Sequence, residues 1–363
     1  MTQPPRRPGW GEALPLFRAH SPDGHETDGN DVAGGRAALV LFAGLGSHPA
    51  VAAALATAAT HRAVFDDVHA SFYGVTIDPA DVSEQRLCER LPGWRVMMDA
   101  DHAFSRRCGA IDTAGGYRPY WLLLDRTWRV VGWFEIDQGE AAIAALRQLA
   151  TGAFEADWAP VLMVPHVLEP EFCRRLIDEH GAHTADPGGV MREQDGMTRL
   201  VIDPAVKLRR DHRLRAGPLV EQLTTRLAVR LAPMIKRAFQ FDVTQVERLL
   251  IGCYDAEDGG HFGAHRDDST RGTVHRQFAV TINLNAGDYA GGELCFPEFG
   301  QRRYTPPTGA ALVFSCSLLH RVMPVTRGRR YAMLPFLLDS KASELREANR
   351  RFVDYTPLPI APL

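Results

Sequence analysis

Two histidines and one aspartate are spaced in a way that restricts how the C-terminal half of this 363-residue chain can fold. His265 and Asp267 are two residues apart, so on an extended strand their side chains leave the same face. His320 lies on a later predicted strand and would complete the cluster. The fold must therefore bring two strands that are distant in sequence side by side.

The three side chains form a ligand set with a recognisable chemistry. Two imidazoles and one carboxylate on one side of an ion make the facial triad of non-haem Fe(II) oxygenases, which leaves three positions open for cosubstrate and O2. We therefore predict that His265, Asp267 and His320 are the metal ligands, with no catalytic side chain beyond them.

Arg330 follows the third ligand after a turn that contains Pro324 and Gly328. We expect an antiparallel return from the His320 strand to place the Arg330 guanidinium near the metal, within reach of a five-carbon dicarboxylate. Arginine suits this position because its planar fork binds a carboxylate through two hydrogen bonds.

Other histidines offer alternatives. His261 and His265 have the spacing of two zinc ligands on a helix, but the glycines at 259, 260 and 263 disfavour a helix there and weaken the case for a zinc hydrolase. His261 is instead predicted to be a loop residue at the rim of the site, solvated or touching substrate. His275 is interpreted in the same way.

From about residue 158 to 338 the chain resembles the Fe(II)/2-oxoglutarate oxygenases of the prolyl 4-hydroxylase type, whose catalytic domain is a double-stranded β-helix (jelly-roll). The resemblance runs through residues 251–254 (IGCY), the strand at 276–285 and residues 291–297 (GGELCFP), in the order of the family. It implies that His265, Asp267 and His320 bind Fe(II). It also implies that Arg330 and Tyr254 hold the distal carboxylate of 2-oxoglutarate.

Asn283 stands where some animal members carry a tyrosine that reaches the same carboxylate. The strand alternates between an apolar face and a small polar face, and Asn283 belongs to the polar face together with Thr281 and Asn285. A polar face on a buried strand suggests a pocket, so Asn283 is predicted to bind cosubstrate. The alternative is an amide whose hydrogen bonds go to the backbone of a barrel wall.

The resemblance implies an enzyme that couples decarboxylation of 2-oxoglutarate to succinate and CO2 with hydroxylation of a substrate by O2. A peptidyl proline of a protein is the leading substrate, and a small metabolite is the alternative. Fe(II) is the expected cofactor, 2-oxoglutarate the cosubstrate and L-ascorbate a candidate third requirement. A protein that only senses iron, O2 or 2-oxoglutarate, or acts as a scaffold, is a further alternative.

Residues 1–155 have a different pattern from residues 156–363, the expected oxygenase domain. Strands are predicted at 37–42 and 72–77, a helix at 49–60, a hairpin from 121–124 and 130–134, and a final helix at 141–150. This order suggests a thioredoxin-like α/β layer. It resembles the peroxiredoxins of the alkyl hydroperoxide reductase and thiol-specific antioxidant family through residues 13–17, 72–78 and 123–127, and it implies a cis-proline, for which Pro119 is the candidate.

Peroxiredoxin chemistry requires a thiolate at a helix start after the first long strand. This chain has Ser47 and His48 there, and no cysteine between Asn30 and Arg86. Cys88 and Cys108 could act only as a relocated pair. The N-terminal domain is therefore interpreted as a degenerate module for docking or for shaping substrate access, joined to the oxygenase by a linker at 153–157.

Composition narrows the partners and the compartment. With 41 basic and 44 acidic residues, the near-zero net charge favours neither nucleic acid nor a membrane surface as a partner. The basic segment 207–215 is interpreted as a solvated loop or helix start, with an acidic partner as the alternative. No long apolar run or signal peptide is visible, and the six cysteines lack disulfide or CxxC spacing, so a cytoplasmic location is expected.

Two helices are predicted to flank the barrel. One begins at Pro170, and the other covers residues 218–239 with an apolar residue every fourth position from Leu219 to Phe239. Substrate specificity is expected to reside in loops at 184–196 and 268–274.

Overall fold

The computed structural model describes residues 6–14, 17–22, 26–29, 34–151, 158–356 and 360–363. The chain divides into two compact units, one that runs to Asp157 and also takes in Pro297–Gly300, and one made of Trp158–Phe296 and Gln301–Leu363. The linker expected at 153–157 lies outside the described residues.

The N-terminal unit is an α/β layer built on one mixed sheet. Its strands are β1 (Arg18–His20), β2 (Glu26–Asp28), β3 (Ala37–Gly44), β4 (Ala70–Thr76), β5 (Trp94–Met98), β6 (Tyr120–Leu124) and β7 (Val130–Glu135). Its helices are α1 (Pro49–Thr60), α2 (Ala80–Ser83), α3 (Ala103–Arg107) and α4 (Gly139–Thr151), with a 3-10 turn at Arg62–Val64. The sheet order is β2-β1-β5-β4-β3-β6-β7, and β3, β4 and β5 run parallel.

Both faces of this sheet are covered, so the central strand β3 is buried along its whole length. Leu39 and Leu41 pack with α1 and α4 on one face. Val40 and Phe42 pack on the other face, in a cluster that includes Phe104 and Trp128. The strands, the hairpin and the two long helices predicted from the sequence are confirmed, whereas β1, β2 and β5 were not predicted.

The predicted cis-proline at Pro119 is wrong. Among the described residues the cis peptide bond lies at Leu91–Pro92. The backbone at Pro119 continues in trans into β6, whose first residue, Tyr120, pairs with Phe42 of β3.

The C-terminal unit is mostly antiparallel β-structure. Its longer strands are β10 (Val190–Gln194), β11 (Met197–Val201), β13 (Arg210–Arg213), β15 (Leu250–Asp255), β16 (His261–His265), β17 (Phe278–Asn283), β21 (Ala311–Ser315) and β24 (Arg329–Met333). The remaining strands, of two or three residues each, are β8 (Leu162–Val164), β9 (Asp186–Pro187), β12 (Lys207–Leu208), β14 (Gln245–Glu247), β18 (Ala290–Gly291), β19 (Leu294–Cys295), β20 (Arg303–Tyr304), β22 (His320–Val322), β23 (Val325–Arg327), β25 (Phe336–Leu338) and β26 (Ile360–Pro362).

Two main sheets share these strands. The large sheet runs β26-β14-β25-β17-β24-β15-β13-β9, with β21 joined to β17 and β8 joined to β21. The small sheet runs β12-β16-β22-β19-β20, and two strand pairs, β10-β11 and β18-β23, stand apart from both. The segment 184–196, expected to be a loop, therefore contributes strands β9 and β10.

The helices of this unit are α5 (Pro170–Gly181), α6 (Pro218–Arg226), α7 (Ala232–Phe239) and α8 (Ser340–Asn349), with a π turn at Leu227–Leu231 between α6 and α7 and a 3-10 turn at Arg350–Phe352. Residues of α5, α6 and α7 pack against core residues of the large sheet. A further 3-10 turn, Pro297–Phe299, lies in the segment that is grouped with the N-terminal unit. The predicted apolar stripe is confirmed at Leu223, Leu227, Leu231 and Ile235, which are fully buried among core residues such as Ile251, whereas Phe239 at its end is 37% exposed. No helix in the described ranges is long and apolar enough to cross a membrane.

Candidate metal centre and cosubstrate cavity

The pairing of β16 with β22 brings the two predicted histidine ligands together. His265 ends β16, His320 begins β22, and the two residues are register partners in the small sheet. Asp267 follows just past the end of β16, where its backbone N–H donates to the Cys316 carbonyl at 2.9 Å. The sequence had suggested that Asp267 lies on the same strand as His265. It lies instead in the turn that follows the strand.

The side-chain geometry of this group suits a metal ion. Asp267 lies with Oδ1 3.7 Å from His265 Nε2 and Oδ2 3.5 Å from His320 Nε2. Each Nδ1 lies close to the carbonyl oxygen two residues earlier, at 2.8 Å from Gly263 and 3.0 Å from Leu318. When Nδ1–H donates to these carbonyls, both Nε2 lone pairs are left for a metal, which is the arrangement usual for histidine ligands.

The electrostatics of the group favour the protonation states that bind a metal. Burial, together with neighbouring His320, lowers the pKa of His265 to about 3, so this ring is neutral at pH 7. Burial opposes ionisation of Asp267, but the adjacent His320 and His265 outweigh it and hold the pKa of the carboxyl below its usual value. A neutral imidazole and an ionised carboxylate are the ligand forms.

Arg330 lies in a cavity lined by both main sheets, together with the metal group. Its position differs from the prediction, because β24 pairs with β15 and β17 of the large sheet and does not return along β22. Arg330 is only 2% exposed. Its Nη2 donates to Thr281 Oγ1 at 3.1 Å, while the buried Nη1 has no hydrogen-bond partner among the residues that the structure describes. A buried N–H without a partner is rare in folded proteins and suits an anionic ligand.

Tyr254, the second predicted cosubstrate residue, lies beside Arg330. The two are register partners on β15 and β24, and the guanidinium carbon of Arg330 lies 5.3 Å from the centre of the Tyr254 ring. Tyr254 is 1% exposed and lines the same cavity. The structure therefore brings Tyr254, Arg330 and the metal group together.

Asn283, the third predicted cosubstrate residue, is not brought into this cavity. Its Nδ2 donates to Tyr289 Oη at 2.6 Å and to the Pro306 carbonyl at 2.8 Å. Thr281, two residues earlier on the same face of β17, lines the cavity and contacts Arg330. The alternation correctly identified the inward face, but it could not indicate which residue along that face meets the arginine.

The basic segment 207–215 was interpreted wrongly as a solvated loop. It forms β12 and β13, and Lys207 and Arg209 are 4% and 7% exposed. Arg209 donates to both carboxylate oxygens of Asp211, at 2.5 and 2.8 Å, and its Nη1 lies 3.3 Å from Tyr254 Oη. Arg209, which lines the cavity, was not predicted to belong to the site, although the alternation of Lys207, Arg209 and Asp211 is the signal of a strand with one charged face.

Arg248 is a further cation of the cavity that the sequence did not reveal. Its backbone has φ +63°, an uncommon conformation for a side chain of this size, and its guanidinium lies over the Phe336 ring at 4.0 Å. Burial, together with nearby Arg276 and Arg209, lowers the pKa of Arg248 to about 10. Nε and Nη2 donate to the Leu334 carbonyl at 3.3 Å, and no carboxylate among the described residues forms an ion pair with it.

Two other histidines differ from their predicted settings. His261 lies on β16 and not in a loop, and its Nδ1 and Nε2 lie 2.9 and 3.3 Å from the carbonyls of Gly259 and Ala205. His275 is 2% exposed, and its Nε2 lies 2.8 Å from Glu247 Oε2. The interpretation of His275 as a solvated loop residue is therefore wrong, because a buried carboxylate from β14 covers it.

Residues 249–337, which carry the metal group and Arg330, match the model of the 2OG-Fe(II) oxygenase superfamily. The C-terminal part of the chain thus contains a 2OG-Fe(II) oxygenase domain. A PKHD-type hydroxylase of Synechococcus sp. (strain JA-2-3B'a(2-13)) is 39% identical over 98 residues, which cover 25% of this chain and 43% of that relative. The chain therefore spans less than half the length of this curated relative.

Solved structures similar to the oxygenase domain and to the N-terminal unit were also found. A Pseudomonas putida prolyl-4-hydroxylase has 19% sequence identity and a TM-score of 0.38, and the alignment covers 54% of this chain and 98% of that one. A peroxidoxin of Mycobacterium tuberculosis has 17% identity and a TM-score of 0.34, with 40% of this chain and 100% of that one covered.

Proposed function

We propose that this protein is an Fe(II)- and 2-oxoglutarate-dependent dioxygenase that hydroxylates a substrate and releases succinate and CO2. The observation that carries the proposal is the buried Arg330, which lines one cavity with His265, Asp267 and His320 and whose Nη1 has no hydrogen-bond partner in the described part of the chain. A dicarboxylate that chelates the metal at one end needs a cation at the other end. The domain match at residues 249–337 supports the same reaction.

The residues of the cavity have separate tasks in this reaction. His265, Asp267 and His320 would hold Fe(II), which supplies O2 activation when 2-oxoglutarate is bound. Arg330 binds and orients the distal carboxylate of the cosubstrate, and Thr281 fixes the guanidinium. Tyr254 contributes its hydroxyl to the same carboxylate.

The cations of the cavity favour a doubly charged cosubstrate. Arg209 is neutralised by Asp211, whereas Arg248 and Arg330 form no ion pair with a described residue. Among the described residues that line the cavity, Asp267 is the only acidic one. An excess of positive charge in a buried pocket attracts a dianion such as 2-oxoglutarate.

For the substrate we propose a peptidyl proline of a protein. The similarity to PKHD-type hydroxylases supports a hydroxylation, while the choice of proline rests on the motifs at 251–254, 276–285 and 291–297. L-ascorbate is proposed as a reductant that keeps the iron in the Fe(II) state.

For the architecture we propose a double-stranded β-helix at 156–363, with its core at 158–338, and a thioredoxin-like domain at 1–155. The two facing sheets around the cavity support the first, and the mixed sheet with α1 and α4 on one face supports the second. We propose that the N-terminal domain serves docking or substrate access. A cytoplasmic location stays a prediction.

The test is succinate release by the full chain with Fe(II), 2-oxoglutarate and O2, with and without proline-containing peptides. Mass spectrometry of peptides and of a treated host lysate would detect products heavier by one oxygen atom. Substrate-stimulated succinate release with a matching product supports the proposal. Absence of succinate under all conditions, with iron bound, would refute it.

A further inference from the structure

A second group of metal-ligating side chains lies at the end of α5 and on β13, apart from the oxygenase cavity. Glu179 lies in the last turn of α5, and His183 follows two residues after the end of that helix, with its Nδ1 3.5 Å from Glu179 Oε1. His212 comes from β13. One ligand atom of each residue lies within 4.8 Å of those of the other two.

His212 shows that this group is incomplete as it stands. The residue is 8% exposed, and its buried Nε2 makes no hydrogen bond with any described residue. The neighbouring carboxylate oxygen, Glu179 Oε1, lies 3.4 Å away. Leaving a buried ring nitrogen without a hydrogen bond is unfavourable, so a ligand for this atom is expected.

The distances between the candidate ligand atoms fit a tetrahedral ion. Glu179 Oε1 lies 3.4 Å from His212 Nε2 and 3.5 Å from His183 Nδ1. Zinc bonds to nitrogen and oxygen are about 2.0–2.2 Å long, which gives tetrahedral edges of roughly 3.3–3.6 Å. The separation between Glu179 and His212 therefore already matches without movement of either side chain.

The third ligand has to turn before it can bind. His183 Nδ1 lies 2.8 Å from the Glu179 carbonyl, and the ring stacks on His212 with centroids 4.6 Å apart. The side chain is 50% exposed, so the ring is free to exchange this contact for an ion. An open groove, also lined by Asp186, gives the ion and a water ligand access to the three side chains.

We propose that Glu179, His183 and His212 form a second site for a divalent transition-metal ion, with Zn²⁺ as the ion because the 3.4 Å separation of Glu179 and His212 fits a tetrahedral zinc site. The site is separate from the oxygenase triad. Its ion would also tie α5 to β13, the strand whose Asp211 holds Arg209 beside Tyr254. Binding to the folded state alone raises the unfolding temperature.

The experiment is Zn²⁺ binding to the metal-free full chain, measured by calorimetry and by metal analysis after desalting. We expect two ions per wild-type chain, one in Asp267→Ala, one in His183→Ala and none in the double variant Asp267→Ala/His183→Ala. A His166→Asn variant, which changes an exposed histidine outside the group, should retain two. His212→Gln should behave like His183→Ala, and Zn²⁺ should raise the unfolding temperature of Asp267→Ala but not of the double variant.

The outcomes separate this site from the oxygenase site. If the oxygenase triad does not bind Zn²⁺, we expect the wild type to bind one ion and the His183→Ala variant to bind none. Retention of the wild-type number of ions and affinity in both His183→Ala and His212→Gln would overturn the proposal. His183 is half-exposed, so its variant folds even if the buried His212 variant does not. Loss of a ligand should weaken binding at least tenfold, since even the loss of a group that only supports a ligand costs about 10–100-fold.

Discussion

His265 and His320 are direct register partners on adjacent antiparallel strands, with ring centroids 4.2 Å apart. The strand pairing in the small sheet therefore sets the separation of the two imidazoles without the need for a bound metal ion. Phe262 stacks on the His265 ring at 3.5 Å, and Phe314 packs edge-on against His320 at 4.7 Å, so both rings are also held by their neighbours. A metal group that is held in this way needs little reorganisation to bind an ion.

The first prediction concerns the three ligands. Alanine at His265, Asp267 or His320 should abolish 2-oxoglutarate turnover and weaken Fe(II) binding, because an open triad has no spare ligand. His261→Ala is the matched control on the same strand and should keep most of the activity, since its ring nitrogens lie against the backbone carbonyls of Gly259 and Ala205 and not against the triad. Full succinate release by one of the triad variants at saturating iron would remove that residue from the site.

The second prediction concerns Arg330. Removal of a buried charge-assisted contact costs about 2–5 kcal/mol, so Arg330→Ala should raise the KM for 2-oxoglutarate at least tenfold and leave iron binding unchanged. Arg329→Ala is the control, because this exposed neighbour pairs with Asp255 at 2.6 Å. Steady-state succinate assays at varied cosubstrate distinguish the two. A large effect from Arg329 with none from Arg330 would contradict the assignment.

The third prediction tests Thr281 as the residue that positions Arg330. Thr281→Val keeps the shape and removes the 3.1 Å hydrogen bond. The loss of about 0.5–1.5 kcal/mol should raise the KM for 2-oxoglutarate roughly twofold to tenfold. Thr326→Val, at an exposed position, is the control and should leave the KM unchanged. An unchanged KM in Thr281→Val would show that the hydrogen bond from Thr281 is not needed to position Arg330.

The part of the site that the sequence predicts is the part encoded by local pattern. The triad spacing and the Tyr254 strand depend on short motifs, just as helix 49–60 of the N-terminal unit depends on periodicity. The burial of Lys207, Arg209 and His275 was missed because it depends on which distant strand lies alongside, such as β16 next to β12 or β14 carrying Glu247. A charged residue is predicted to be exposed from local pattern alone, because the pattern does not show which distant residue could pair with it in the core.

The fourth prediction concerns pH and Glu247. Burial opposes ionisation of this carboxyl, but Arg276 and His275 lower its pKa below the ordinary carboxyl value. A depressed folded pKa stabilises the fold above the unfolded value of about 4.3, and the stabilisation is lost as pH falls toward the folded value. Glu247→Gln should therefore reduce the free energy of unfolding by about 3–5 kcal/mol at pH 7.

Urea unfolding at several pH values tests this expectation. The difference between wild type and Glu247→Gln should narrow as pH falls below about 4.3, because protonation removes the same charge. Exposed Glu257→Gln is the control and should follow the wild type throughout. A difference that stays constant down to acid pH would show that packing, and not the charge of Glu247, stabilises this region.

The last prediction is that the protein does not reduce hydrogen peroxide through its thiols. Ser47 and His48 lie just before α1, where a peroxiredoxin would need its cysteine, and His48 Nδ1 accepts a hydrogen bond from the Ala50 N–H at 3.3 Å. Cys108 is fully buried, and burial raises the pKa of its thiol, so it lacks the thiolate that attacks peroxide. Peroxide consumption by the full chain with dithiothreitol or thioredoxin as reductant should equal that of a Cys88→Ser/Cys108→Ser variant. Rapid consumption that disappears in the variant would show that these two thiols work as a pair and that the N-terminal unit is an enzyme in its own right.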